Sequence, residues 1–303
     1  MHKEANFKAT SEKVVFSIVI CTLGYDLANL KRCLDSIQCQ TYSSFDVIVI
    51  DQGKTDLSIL LGQYANNICH IKTEKKGLSL GLNVGMNKSS ADYLVFLDDD
   101  AFIKNNYLEE AYKTLQITNV ACLGGVVLDL KTNKPIARSI KADRSFYLKF
   151  DDYNQWNCSA TIIKRVVLVG LGGFDEDLGV GGKWPSAEDS DVLIRALLSG
   201  EKAYICKELC VYHPTEVEKI LGLSYRDVRK RGYNYGSGRA AFLRKTFLSS
   251  SLKWWSVKQW LILLLYAVVG ALISLFKGKI KCFVRDVASF YGRLVVFVKY
   301  ETS

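Results

Sequence analysis

Three carboxylates stand side by side at Asp98-Asp99-Asp100, directly after the apolar run Tyr93-Leu94-Val95-Phe96-Leu97. Adjacent carboxylates repel one another, so the triplet is costly unless a cation neutralises it. Hard divalent cations take oxygen ligands, and Mg²⁺ or Mn²⁺ typically binds through one or two carboxylates together with substrate phosphates. The triplet therefore points to a metal-bridged phosphate substrate, with a solvated acidic turn as the plain alternative. A second acidic group, Glu188-Asp189-Ser190-Asp191, follows a Gly-rich stretch. A carboxylate fixed at a helix start is placed for general-base work on a hydroxyl. The same residues are also good N-terminal capping. His213 closes an apolar run and precedes Pro214. A lone His is more often structural, and it joins this chemistry only where the fold brings it to the metal.

The elements that must position these groups alternate. Phe16 to Thr22, Phe45 to Ile50, Ile68 to Ile71, Tyr93 to Leu97 and Val120 to Leu128 read as short, buried strands. Between them, Asp26 to Cys39, Leu57 to Tyr64, Leu78 to Lys88 and Asn106 to Leu115 have helical spacing. Such alternation predicts an α/β fold with a mostly parallel sheet. Thr22, Asp51 and Asp98–Asp100 all follow strand ends, the rim where open α/β sheets bind ligands. Further on, 132–156 is polar and aromatic, Asn157 to Ile163 reads as a strand and Arg165 to Val169 as a short helix. Six glycines in the fourteen residues 170–183 predict a mobile loop. Ala187 to Leu198 reads as a helix, and Tyr204 to Cys206 and Leu209 to Tyr212 as two short strands.

In this order the segments resemble a family-2 glycosyltransferase. Phe16-Ser17-Ile18-Val19-Ile20-Cys21-Thr22 and Leu30-Lys31-Arg32-Cys33-Leu34-Asp35-Ser36-Ile37 are similar to the family's first strand and helix. Val47 to Asp56, Gly77 to Gly85 and Phe96 to Asp100 are similar to its second-strand, donor-loop and Asp-x-Asp motifs. Gly172-Gly173-Phe174-Asp175-Glu176, with Glu188, Asp189, Asp191 and Arg195, is similar to its acceptor-side segment. Gln52-Gly53-Lys54 departs from the family's common Asp-Gly-Ser, and Leu82 stands where an Arg commonly precedes the Asn.

The resemblance implies the GT-A fold, with a mixed, mostly parallel central sheet, a nucleotide-diphospho-sugar donor and inverting transfer. By the same resemblance Thr22, Asp51 and Asn83 would line the nucleotide pocket. Asp98 would lie near the ribose or the metal, Asp100 would coordinate Mn²⁺ or Mg²⁺, and His213 would complete that site. Asp189 would be the general base, with Glu188 beside it. The expected catalytic domain is 14–222, divided into a nucleotide-sugar half (14–128) and an acceptor half (129–222), followed by C-terminal membrane-associated helices in 223–303.

Charge supports that division. The chain of 303 residues carries 40 Lys+Arg against 31 Asp+Glu, a net +9. Arg239 to Ser303 holds eleven basic and two acidic residues, which accounts for the whole surplus. A neutral body with a basic tail points to an anionic surface as partner. At 49% hydrophobic and 23% charged residues, the chain is globular and not disordered. Nine cysteines without a Cys-x-x-Cys pair read as buried hydrophobes in a reducing compartment. Met1 to Lys13 has no apolar signal region, which makes the cytoplasmic side the expectation.

Trp260 to Phe276 is seventeen residues without a charge, near the lower limit for a span. Trp254, Trp255 and Trp260 at its entrance suggest a lipid interface. An interfacial or re-entrant anchor keeps every basic residue at the anionic cytoplasmic leaflet and is the favoured reading over a span or a buried helix. Residues 224–245 alternate basic and aromatic residues, and Arg231-Gly232-Tyr233-Asn234-Tyr235-Gly236-Ser237-Gly238 within them resembles a segment that follows the catalytic domain in glycosyltransferases building bacterial surface polysaccharides. A glycan or lipid-linked acceptor at the inner face of a membrane is the expected partner, and no nucleic acid. A haloacid-dehalogenase-type phosphatase and an inactive scaffold of the same fold are the alternatives. The phosphatase pattern wants Thr or Val where Phe102 stands, and puts its motif on the first strand.

Overall fold

The computed structural model describes residues 14–300 except 65–67, 137–140 and 142. The expectation for Met1 to Lys13 lies outside the described residues.

The sheet begins with β1 (Phe16–Thr22), β2 (Phe45–Asp51), β3 (Ile68–Lys72) and β4 (Tyr93–Phe96), which pair in parallel. The connecting helices are α1 (Leu27–Gln38), the short α2 (Ser58–Leu61) and α3 (Leu78–Lys88). Then come β5 (Phe102–Ile103), α4 (Tyr107–Thr118), β6 (Cys122–Asp129) and β7 (Phe146–Tyr147), followed by β8 (Thr161–Lys164) and α5 (Arg165–Gly170). α6 (Glu188–Leu198) and β9 (Ala203–His213) complete the sheet, whose order is β3-β2-β1-β4-β8-β6-β9-β5. β8 runs antiparallel between β4 and β6, β9 lies parallel to β6, and β5 and β7 pair antiparallel with β9. The sheet is therefore mixed, with a parallel half carrying the first site segments.

Alternation along β1 fixes the two layers. Ile18 and Ile20 face Leu30 and Leu34 of α1, whereas Val19 faces Leu82 and Met86 of α3. Asp26 caps α1 by accepting from Asn29 N at 3.0 Å. α4 ends at Asn119, which adopts φ 47°. The nine cysteines are free thiols, five of them buried, in keeping with their reading as small core hydrophobes.

Several local expectations change. Asn157 to Ile163 is not one strand: Cys158–Ala160 forms a 3-10 turn before β8. The two strands expected at 204–212 are a single strand, β9, whose pairing with β6 shifts register between Gly124 and Val126. The irregularity interrupts the apolar pattern and makes one strand read as two. The loop 170–183 is a set of tight turns tied to its surroundings and not an untethered span. Asn83 Oδ1 accepts from Phe174 N at 2.8 Å, and Arg195 donates to the Leu171 and Gly173 carbonyls at 2.7 and 2.8 Å.

After α7 (Glu216–Leu221) come three long helices: α8 (Tyr225–Ser249), α9 (Lys253–Phe276) and α10 (Ile280–Lys299). No break in the core marks the expected boundary at 222. Phe242 and Leu243 of α8, Leu263 of α9 and Val296 of α10 belong to the same buried cluster as Val19 and Leu82. α8 and α10 pack at backbone distance. A Cβ at Gly236 would collide with the Ser289 carbonyl, and one at Gly292 with that of Tyr233. Gly236→Ala is expected to cost about 1–3 kcal/mol through overpacking, read as a fall of several degrees in Tm. An unchanged Tm would contradict this helix contact.

The tryptophans divide. Trp254 is 86% exposed. Trp255 instead packs on Tyr153 and donates Nε1–H to Asp151 at 2.9 Å. Trp260 stacks on Phe297 with centroids 4.4 Å apart and donates to the Arg293 carbonyl. Their expected place in an interfacial belt is thus corrected for two of the three, because α9 docks one face on the protein. The basic surplus is also partly internal. Lys245 pairs with Asp175 and Asp191, Lys258 with Asp151, and Arg285 with Asp286.

Candidate active site

The acidic triplet lies in the turn between β4 and β5. Within this turn Asp98 and Asp100 face His213, and Asp99 points elsewhere. Asp99 turns to β1, where Thr22 Oγ1 donates to its Oδ2 at 2.6 Å. Burial and the flanking carboxylates push Asp99 up to about 6, against the hydrogen bond from Thr22.

Asp98 and Asp100 meet His213 at the end of β9. His213 Nε2 lies 3.4 Å from Asp98 Oδ2 and 3.0 Å from Asp100 Oδ1. Among the described residues this trio is the group that could hold a metal ion, with donor atoms all within 4.8 Å of one another. The trio fits a divalent cation for a further reason. His213 Nδ1 lies 2.7 Å from the Pro214 carbonyl, so Nδ1 donates there whether the ring is neutral or charged, and Nε2 is left to face the carboxylates. Lys219 of α7 completes the cluster, with Nζ 2.7 Å from Asp100 Oδ2 and 3.4 Å from His213 Nε2.

These cations hold both acids ionised. Burial opposes the charge on Asp98 and Asp100, but His213 outweighs it at each, and Lys219 adds to the effect at Asp100. Burial likewise opposes the imidazolium, while Asp100 and Asp98 raise His213 to about 9. A metal binding through Nε2 must displace that proton. Mn²⁺ affinity is therefore expected to rise about tenfold per pH unit from 6 to 8 and to level near 9, as titration calorimetry would record. A pH-independent affinity would exclude His213 as a ligand.

The Cys158–Ala160 turn links this cluster to the second acidic group. Ser159 Oγ donates a short hydrogen bond to Asp98 Oδ2, and Cys158 N donates to Asp189 Oδ2 at 3.2 Å. Asp189 Oδ1 accepts from Ser190 N at 2.6 Å. Burial raises both Glu188 and Asp189, and the Asp189 charge raises Glu188 further. At Asp189 the Ser190 and Cys158 N–H groups and the Arg239 charge oppose the rise. Asp189 is thus the more readily ionised member and Glu188 the more readily protonated one. Asp191, expected in the same group, instead pairs with Arg195 and Lys245 and anchors α6.

Asp51 ends β2, only 1% exposed, and accepts from Lys72 Nζ at 2.8 Å, His70 Nε2 at 3.2 Å and Gly53 N at 2.9 Å. Burial works against its charge, yet these bonds hold it below the ordinary carboxylate value. Gln52 has a local reason to differ from a carboxylate: its amide donates to the Gly77 carbonyl and accepts from Gly77 N, at 3.0 and 3.3 Å. Asn83, expected in the nucleotide pocket, holds the loop at Phe174. Its Nδ2 donates to the Phe174 carbonyl and to Glu176 at 2.9 and 3.1 Å, and its Oδ1 is taken by Phe174 N. Gly173, at φ 78°, approaches this amide so closely that a Cβ would strike it.

Sequence reading missed Lys219, β5 and the 158–159 link. Lys219 follows His213 by six residues with no motif around it. β5 is two residues long, marked only by Phe102, which stacks on Tyr212 at 4.8 Å.

Among solved structures, the mannosyltransferase PcManGT from Pyrobaculum calidifontis, in complex with GDP-Man and Mn²⁺, is similar with a TM-score of 0.60 and 16% identity. The likeness covers 98% of this chain and 92% of that one, and the shared fold is GT-A. The family model for Glycosyl transferase family 2 matches residues 17–165, just under half of the chain, and this segment carries the pattern of that family. That match sets the phosphatase alternative aside. Glycosyltransferase GlyA of Streptococcus pneumoniae serotype 4 is 36% identical over 103 residues, which are 32% of this chain and only 15% of that protein's length. The glucosyl-dolichyl phosphate glucuronosyltransferase of Haloferax volcanii is 26% identical over 213 residues, 65% of this chain and 68% of that protein.

Proposed function

We propose that this protein moves a sugar from a nucleotide-diphosphate sugar to a hydroxyl of a glycan or lipid-linked acceptor at the cytoplasmic face of a membrane, with inversion. The observation that carries the reading is the meeting of Asp98, Asp100 and His213 beside an Asp189 tied to the same turn. GDP-Man and Mn²⁺ in PcManGT support a nucleotide-sugar donor and a Mn²⁺ or Mg²⁺ cofactor.

In this reading Asp98, Asp100 and His213 hold the cation. When bound, it supplies positive charge to the leaving diphosphate. Lys219 adds a fixed ammonium at the same place, which favours charge development there. Thr22 and Asp51 line the nucleotide pocket, with Asp51 as acceptor for the base. Asn83 acts at one remove, by holding the Phe174 loop. Asp189 takes the proton from the acceptor hydroxyl as its oxygen attacks the anomeric carbon. The bond to the diphosphate oxygen breaks on the opposite face, so a single displacement inverts the centre.

The membrane part of the proposal rests on α9. It is the helix among the described residues long and apolar enough to cross a bilayer, and only 28% of its most apolar window is buried. Leu261, Leu265, Leu272 and Phe276 are exposed along it, and Lys277, Lys279 and Lys281 follow. One docked face and one apolar face suit a helix lying in the interface, with its lysines at anionic headgroups.

A panel of UDP- and GDP-sugars is expected to raise the Tm of the full chain for at least one donor, and only with Mn²⁺ or Mg²⁺. No metal-dependent shift with any donor overturns the transferase reading. The double variant Leu265→Glu/Leu272→Glu is expected to leave phosphatidylglycerol vesicles in sedimentation while keeping donor binding. Unchanged sedimentation overturns the interfacial reading.

A further inference from the structure

α8 and α10 run parallel and in register. Gly232 backs on the Arg285 carbonyl and Gly236 on that of Ser289, so one turn further on Arg239 and Ala240 stand level with Arg293. The same stretch of α8 touches the second acidic group. A Cβ at Gly238 would strike the Ser186 backbone, three residues before Asp189. Tyr153 closes the third side, with its ring 5.8 Å from that of Phe242, one turn beyond Arg239.

Two guanidiniums and a phenol thus meet beside the candidate base, and their donors are largely unused. Among the described residues Arg239 has no hydrogen-bond or ion-pair partner, and neither has the Tyr153 hydroxyl. Arg293 donates from Nη1 to the Leu263 carbonyl, but its Nε is buried without a partner. A buried donor left unpaired is costly, and like charges set side by side raise that cost. Burial and the Arg239 charge push Arg293 down to about 10, against Tyr153 and Asp286, so it stays charged at neutral pH. Burial raises the Tyr153 hydroxyl, while Arg239 and Arg293 oppose the rise.

The neighbouring acids leave this charge uncompensated. Asp286 is taken by Arg285, at 2.7 and 2.8 Å. Asp189 feels the Arg239 charge but makes no ion pair with it. An oxyanion supplies what is missing, lone pairs for the free donors and negative charge for the two cations. Arg forks match phosphate geometry in particular.

The place of the cluster selects the kind of phosphate. Leu263 belongs to α9, and Tyr266 on the same helix is exposed and close enough to act on Tyr153. The cluster therefore lies between Asp189 and the helix whose outer face is apolar. We propose that Arg239, Arg293 and Tyr153 form a phosphate subsite for the acceptor, an amphiphile whose apolar part lies along α9 and whose hydroxyl end reaches Asp189. The proposal rests on the transferase reading above for the word acceptor, but its phosphate chemistry is tested separately from donor binding.

The probe is decyl phosphate, titrated by calorimetry into the full chain in neutral detergent. Decyl maltoside and inorganic phosphate are the comparisons, and both are expected to bind more weakly. Arg239→Gln and Arg293→Gln should each weaken decyl phosphate about tenfold or more, and Tyr153→Phe about threefold. Arg293→Lys should recover part of its loss. Arg239 is exposed, so its variant tests the subsite even where Arg293→Gln lowers the Tm. Arg226→Gln, exposed near the start of the same helix, should bind as the native chain does. Metal-dependent binding of the nucleotide sugar is expected to persist in all of these proteins. Its absence from the native chain would sink the transferase reading while leaving the phosphate result to stand.

Equal affinity in the native chain and Arg239→Gln overturns the subsite. So does an equal loss in Arg226→Gln, which would mean diffuse attraction to a basic helix. Inorganic phosphate binding as tightly as decyl phosphate would make this a site for a free anion and overturn the amphiphile. Loss of donor binding in Arg239→Gln, with decyl phosphate affinity kept, would assign the arginines to the donor. Vesicles of phosphatidylglycerol separate acceptor from bilayer, since Arg239→Gln should still sediment with them. Loss of sedimentation with decyl phosphate affinity unchanged would assign the residues to headgroups and overturn the acceptor assignment.

Discussion

Asp100→Asn is expected to remove metal-dependent donor binding and to lower transfer by about 10³-fold. Charge stabilisation by a bound metal supplies several kcal/mol to such a transition state, and each 1.4 kcal/mol or so is tenfold in rate. Asp100 is the carboxylate nearest both cations, 3.0 Å from His213 Nε2 and 2.7 Å from Lys219 Nζ. Asparagine keeps the shape and removes the charge, so the trio falls from two negative charges to one. In the metal-free protein the same change lowers the pKa of His213, because one of the two acids that raise it is gone. Calorimetry with Mn²⁺ and NMR titration of His213 would check both effects, with Tm as the control for folding. Asp99→Asn is the matching comparison. Its carboxyl faces Thr22 and not the trio, so Mn²⁺ affinity should change by less than about tenfold. Loss of metal binding in Asp99→Asn with retention in Asp100→Asn would invert the assignment.

Asp189→Asn is expected to reduce kcat by about 10²–10⁴-fold while leaving donor affinity intact, the range for removal of a general base. Asp189 is the member of the pair held toward ionisation, by the N–H groups of Ser190 and Cys158 and by Arg239. Glu188 is driven further toward its neutral form. Glu188→Gln should therefore cost much less than Asp189→Asn. The direction with pH follows. Burial raises Asp189 above its ordinary value, and the base must be ionised, so kcat falls as pH drops through that raised pKa. In Asp189→Asn this acid limb should disappear from the kcat profile. A deeper loss in Glu188→Gln, with the limb kept in Asp189→Asn, would transfer the role to Glu188.

Much of the architecture was legible because burial leaves a local pattern. The runs at 16–22, 45–50 and 93–97 are largely buried on both faces, so β-branched and aliphatic residues predominate in them. Where a strand is irregular the pattern fails: the register shift opposite Gly124 and Val126 splits β9 in two on paper. Two-residue β5 is too short for any periodicity. The Gly-rich stretch 170–183 reads as mobile from composition, yet Asn83 and Arg195 tie its backbone down. Neither contact is visible along the chain, since 91 and 22 residues separate the partners.

The sequence alone determined the kinds of chemistry available: an acidic triplet after a strand, a second acidic pair at a helix start, and an apolar helix in a basic tail. These are local facts, set by residue type and spacing. Only the tertiary structure decided which of the three adjacent aspartates serve one site. It set Asp98 and Asp100 against His213, more than 100 residues away, and sent Asp99 to Thr22. It brought in Lys219, turned Trp255 and Trp260 inward, and engaged part of the tail's charge with the body. The physical reason is common to all of these. Hydrophobic periodicity reports how deeply a segment is buried, whereas the partner of a polar side chain is fixed by packing between segments distant in the chain.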